Sequence, residues 1–220
     1  TIPDSVTSIG NSVFWGCSGL ASIFFNGDAP AIATNAFYSL DTCAFYPAGN
    51  TTWGSKKQNY GGKLYWYEMD PSKEIVASGI CGENIEWQVG KDGKLLIKGS
   101  GTLTDFSPWE SYKPMIQEVS FAATIEVPII PADSFSGHQR LRIITLPDSV
   151  TSIGNSAFRD CSSLTSITIP GSATSIGESA FSGCSNLTSV TIPVSVMQIW
   201  RGVFSDCASL SGTPGKPAPQ

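Results

Sequence analysis

The chain has 220 residues, 41% hydrophobic and 14% charged, with a net charge of −5. That charged fraction, well under the roughly 25% of an average globular protein, excludes a charged helical bundle, and the lack of any lysine or arginine run removes the footprint of nucleic-acid or anionic-membrane binding. No apolar stretch approaches the roughly 18 residues of a spanning helix, so membrane insertion is not expected. Residue 1 opens on Thr1-Ile2-Pro3-Asp4-Ser5, with neither a basic nor an apolar leader region, as in a processed chain or an internal segment.

The first predicted element is a repeat unit at residues 3–25, PDSVTSIGNSVFWGCSGLASIFF, which matches residues 147–169 at 16 of 23 positions. Next, Phe45-Tyr46 and Leu64-Tyr65-Trp66-Tyr67 form two aromatic β-like runs around a loop rich in Gly and Asn, read as a paired sheet covering a solenoid end. Ile85 to Val89 and Lys94 to Lys98 flank Gly90-Lys91-Asp92-Gly93, a hairpin with Gly93 suited to positive φ. A strand is expected over Ile116 to Phe121. A worn repeat copy follows, with Ile130, Phe135 and Leu141 in register and His138 where a cysteine would stand.

Residues 147–169 and 170–192 then match at 16 of 23 positions, and the period runs on through Pro193, Ile199, Phe204, Cys207 and Leu210. In each unit the alternation puts Ile167 and Ile169 inward and Ser166 and Thr168 outward on a short strand. The return stretch places Val150, Ile153, Ala157, Phe158 and Cys161 inward, with Gly154 turning the chain and Asn155 or Glu178 opening one helical or 3₁₀ turn. One unit cannot bury such a face alone, whereas stacked units bury it as a solenoid. The blocks at 3 and 147 lie 144 positions apart, not a multiple of 23, so two out-of-register arrays are expected. The boundaries are 1–70 for the end of a first array with its cap, 71–115 for a small β lid, 116–210 for a second array, and 211–220 for a Pro/Gly-rich linker.

The run Leu164-Thr165-Ser166-Ile167-Thr168-Ile169-Pro170, with Val150-Thr151-Ser152-Ile153-Gly154, Ala157-Phe158 and Cys161, resembles the BspA-like leucine-rich repeats of bacterial surface proteins. Residues 24–66 are similar to the segment that closes such arrays, and 79–109 to the β segment that opens them. The resemblance implies a right-handed leucine-rich-repeat solenoid, mostly β with short helical turns, in an extracellular or cell-surface interaction protein without catalytic residues.

The residues themselves offer little chemistry. Cys17, Cys161, Cys184 and Cys207 share one inward slot, where buried thiols fit better than disulfides because parallel Cβ vectors suit the bridge dihedral badly. Cys43 and Cys81 lie outside that slot. No C-x-x-C or mixed ligand set appears at short spacing, so no metal or cofactor is expected. The single histidine, His138, builds no triad, and Glu83, Glu86, Asp4 and Asp28 read as solvated carboxylates. The chain is therefore expected not to be an enzyme.

The candidate partner-binding residues are the outward strand positions Glu118, Ser120, Ile143, Thr145, Ser166, Thr168, Ser189 and Thr191, together with Trp200, which replaces the glycine of other units. Ser22 and Phe24 hold the same positions in the first array. Small hydroxyl residues make a flat, weakly charged ribbon suited to a protein or other surface macromolecule. Three alternatives remain: a glycan partner bound through the cap aromatics Trp53, Tyr60, Tyr65, Trp66, Trp87 and Trp109; a spacer role; and self-association through solenoid ends, where Val6, Ile9, Phe14 and Leu20 lack a preceding coil and the coil ending at Leu210 lacks a cover.

Overall fold

The computed structural model describes residues 1–106 and 108–211, so the expected linker lies, after Ser211, outside the described residues. The chain forms two compact units, Thr1–Ala77 and Ser78–Gln220. Most strands are two to four residues long and pair in parallel with a strand one coil away, as in a β-solenoid.

In the second unit, one ladder joins Ser166–Thr168 to Ser189–Thr191 in the register Ser166↔Ser189, Ile167↔Val190, Thr168↔Thr191. A second ladder stacks Ile129–Ile130, Ser152–Ile153, Ser175–Ile176 and Gln198–Ile199. The return stretch is not helical. Its Ser156, Phe158 and Asp160 amides donate forward to the carbonyls of Glu178, Ala180 and Ser182, each within 2.9 Å. Alternate amides face the next coil because Ser156 and Asp160 take positive φ, +54° and +57°; a helical turn would direct them along its own axis instead. The same left-handed pair recurs at Asp133 and Gly137, Ser179 and Gly183, and Gly202 and Asp206.

Val150, Ile153, Ala157, Phe158, Cys161 and their equivalents fill the interior. The Phe rings stack in a column: Phe135–Phe158, Phe158–Phe181 and Phe181–Phe204 have centroids 5.4, 5.2 and 5.7 Å apart and nearly parallel planes. Phe106 closes the column edge-on against Phe135 at 5.7 Å, backed by Trp109. Each slot cysteine donates its thiol to a Phe carbonyl of the preceding coil, Cys161 to Phe135, Cys184 to Phe158 and Cys207 to Phe181, all at 3.1 Å. Burial pushes the Cys184 thiol up to about 12 and raises those of Cys161 and Cys207. All six cysteines are thiols. Cys17 departs from the inward reading and is exposed.

Gly154 opens the turn, its carbonyl accepting from the Ala157 amide at 3.4 Å, without taking a left-handed φ; a Cβ there would sit 2.6 Å from the Ala132 amide nitrogen. Gly177 approaches the Asn155 nitrogen equally closely. The glycine slot is thus a point of coil-to-coil contact.

The lid hairpin forms as expected: Ile85–Gly90 pairs antiparallel with Lys94–Gly99, and Gly93 has φ +79°. Lys94–Gly99 then pairs in parallel with Glu118–Phe121, which pairs with Ile143–Ile144. A single sheet therefore carries the lid into the array.

In the first unit, the segment expected to cover the solenoid end continues the coiling. Asp41–Pro47 lies parallel to Ser22–Phe24 on one side and to Lys63–Met69 on the other. Phe14 and Phe37 stack at 5.0 Å like the column of the second unit. Phe25, Trp53 and Trp66 close the interior, with the Trp53 indole donating to the Gly27 carbonyl at 3.0 Å. Ile9, expected at an open edge, is buried, while Val6, Phe14 and Leu20 are half-buried against the same core.

Two outcomes are expected. Phe181→Ala empties a slot enclosed between two rings and costs roughly 3–5 kcal/mol in chemical denaturation, whereas Thr168→Ala on the outer row costs little. In thiol labelling of the native chain, Cys17 reacts first and Cys161 and Cys184 react only on unfolding.

Candidate functional site

The outer face of the second unit changes character along its strands. In its first rows the charges neutralise one another: Lys94 pairs with Glu118 and Lys98 with Glu86, each at 3.3 Å. Glu118 and Ser120 are half-buried in these rows. From Ile143 onward the outward strand positions are uncharged and exposed: Ile143, Thr145, Ser166, Thr168, Ser189 and Thr191. Ile143 is 55% exposed although its neighbour Ile144 is buried.

Ile143–Ile144 and Ser166–Thr168 belong to different ladders. A shallow groove of about 370 Å³ lies where the ladders change, lined by Ile143, Thr145, Ser166 and Thr168, with Asp148 at its edge. Four of the nine predicted residues thus meet in one depression, and Ser189 and Thr191 continue its rows on the next coil. Trp200 does not join them. It follows Gln198–Ile199 in the other ladder and is 52% exposed on the last coil, near the exposed Val194 and Met197. Ser22 and Phe24 are half-buried, with Phe24 stacked on Phe45 at 4.9 Å.

The hydroxyls of the return stretches have a different task. Thr151 donates to the Pro128 carbonyl at 2.8 Å, Thr174 to Thr151 at 3.1 Å and Thr188 to Thr165 at 3.0 Å. Asn50, the asparagine of an apparent glycosylation sequon, caps the 3₁₀ turn Thr51–Lys56 by accepting from the Thr52 amide.

His138 is fully buried and packs edge-on against Phe135, with no well-formed hydrogen bond at either ring nitrogen. Burial pulls its pKa down to about 4, with Lys113 acting in the same direction and Glu110 opposing. Among the described residues, no three His, Cys, Asp or Glu side chains converge as a metal would require.

Of the cap aromatics, Trp53, Trp87 and Trp109 are buried core rather than a surface platform. Besides Trp200, two rings that residue type alone assigns to a core are exposed: Trp15 and Tyr38, 69% and 51%. Their repeat slot was the available signal, since it holds Ser136, Arg159, Ser182 and Ser205 in other coils.

Residues 1–52 and 111–214 match the BspA type leucine rich repeat region in six copies. The chain belongs to this family. Similar solved structures include a leucine-rich repeat protein from Eubacterium ventriosum, 24% identical over 61% of this chain with a TM-score of 0.48. A leucine-rich repeat protein of T. pallidum is 27% identical over 59% of this chain and 68% of its own, with a TM-score of 0.44. A leucine rich cell surface protein from Faecalibacterium prausnitzii is 16% identical over 96% of this chain and 76% of its own, with a TM-score of 0.42. The chain spans 42% of the Eubacterium ventriosum protein. No curated protein matches it. No described helix of this BspA-type chain is long and apolar enough to cross a membrane.

The buried histidine gives the BspA-type array an acid sensitivity of definite sign. Its folded pKa of about 4 lies below the ordinary 6.5, so the unfolded chain takes the proton first as pH falls. The stability present above pH 6.5 is lost progressively down to about pH 4, by about 3 kcal/mol in all. Urea denaturation between those limits should show a flatter pH dependence for His138→Leu than for the parent chain.

Proposed function

We propose that the chain is a non-catalytic interaction module of a bacterial cell-surface or secreted protein, and that it presents the strand face of its second unit to a macromolecular partner. The observation that supports this reading most is the groove around Ile143, Thr145, Ser166 and Thr168, in which Asp148 is the one charged lining residue. Ile143, 55% exposed between Glu118 on the preceding strand and the hydroxyl rows that follow, serves no core and supplies an apolar contact on a polar surface. Ser and Thr lose little side-chain entropy on contact, and the strand positions from Ser166 onward carry no charge to desolvate. The rigid coils beneath hold them in a fixed array. Family membership supports the surface location and the binding role, and the burial of the lone histidine supports a module without catalysis.

The module's partner is a protein or another surface macromolecule that matches a nearly flat, neutral face. Of the aromatics behind the glycan alternative, Trp53, Trp87 and Trp109 are interior, while Tyr60, Tyr65 and Trp66 are half-buried.

Pull-down from host and bacterial surface extracts should capture a partner that Ile143→Glu loses, with at least tenfold weaker binding and an unchanged melting temperature. Thr168→Arg should weaken it similarly. Capture that survives both substitutions would remove the strand face as the binding surface.

A further inference from the structure

We infer that Trp15 and Tyr38 form a stacking platform for a neutral glycan on the outer turns of the first unit. This site is separate from the strand face and independent of the reading given to it.

The two rings are adjacent by construction. Phe14 and Phe37, the residues just before them, stack at 5.0 Å with planes 7° apart, and the Phe14 amide donates to the Ala36 carbonyl at 3.1 Å. Trp15 and Tyr38 therefore leave the same turn of consecutive coils, with backbones about 5 Å apart, one strand spacing. Their slot points outward in every coil. Elsewhere it carries Ser136, Arg159, Ser182 and Ser205, so no core recruits the indole or the phenol here. Val13, also exposed, belongs to a different slot, the one that buries Ala36, Ala157 and Ala180.

Gly61 of the next coil packs closely under this turn: a Cβ placed there would stand 3.2 Å from Asn35 Cα and 3.4 Å from Tyr38 Cα. The Ser39 amide holds that contact by donating to the Gly61 carbonyl at 3.2 Å.

The chemistry of the patch selects the ligand. Residues 5–27 and 29–40 contain no Asp, Glu, Lys, Arg or His, and the charges that follow on this side, Asp41 and Lys63, pair with each other at 3.6 Å. Two aromatic faces meet the C–H face of a pyranose ring, while Asn35, Ser12 and Ser39 offer an amide and hydroxyls to its equatorial hydroxyl groups. A protein anchor would sit within an apolar rim that excludes water. Here Ser12, Asn35 and Ser39 are all polar and exposed.

The test uses the full chain on an array of neutral oligosaccharides, with cello-, xylo-, manno- and galacto-hexasaccharides as defined probes, followed by calorimetry on those retained. Trp15→Ser and Tyr38→Ser install the residue that three other coils carry in this slot, so folding should persist; an unchanged melting temperature checks this. Each single substitution should weaken binding at least tenfold and the double substitution should abolish it. Trp200→Ala and Ile143→Glu should leave it unchanged. Retention of no neutral oligosaccharide would overturn the proposal, as would retention that survives Trp15→Ser or capture of a protein through Trp15 that sugars do not displace.

Discussion

Every coil of this protein is held by hydrogen bonds that run both ways along the stack, and the period of the sequence follows from that requirement. On the strand sides the bonds run both ways, the Thr174 amide donating back to Thr151 and the Ile169 amide forward to Thr191. On the turn side the earlier coil donates forward, as Phe158 does to Ala180. Coils of other lengths, such as those joining Ser22 to Cys43 and Glu118 to Ile143, keep the ladders paired because buried backbone groups must be paired. The thiol ladder adds a third tie. Cysteine suits it because a thiol packs as a small hydrophobe yet donates weakly to a Phe carbonyl, so its slot stays apolar without leaving that carbonyl bare.

This bonding scheme decides which positions are available for function. Inward slots are fixed by the Phe column and the thiols, glycine slots by the contact between coils, and many turn hydroxyls by carbonyls of the preceding coil. The outer strand rows and the outward turn slot carry no such duty. Those are positions where the chain departs from its own repeat: Ile143 where Ser stands in later coils, and Trp15 and Tyr38 where Ser stands elsewhere.

The repeat period, the inward Ile, Phe and Cys slots and the Gly93 hairpin were legible in the sequence, because periodicity and turn chemistry report directly on burial and φ. The coiling of Asp41–Pro47 and Lys63–Met69 was not, since alternating aromatics look the same in a covering sheet and in parallel coils. The decisive cue is that Cys43 faces Tyr65, 22 positions on, at nearly the repeat spacing. The non-helical return stretch was hidden because Ser156 and Asp160 give no sign in their identity that they take positive φ. The groove at Ile143 was half legible: alternation assigns the outward residues, but the change of ladder that opens a depression between them depends on how two coils meet.

The two candidate surfaces rest on different sources of binding energy. The strand face offers short side chains with little entropy to lose and little charge to desolvate, so its affinity has to come from area and fit over several rigid coils at once. The turns of the first unit offer the reverse: two large rings, already ordered by the stacked pair Phe14 and Phe37 beneath their backbone, give contact area to a small rigid ligand. A solenoid separates these roles cheaply, because each slot repeats at a fixed direction and a change of residue in an outward slot leaves the bonding between coils untouched. Both surfaces follow from one architecture, in which inward slots recur from coil to coil while outward ones vary.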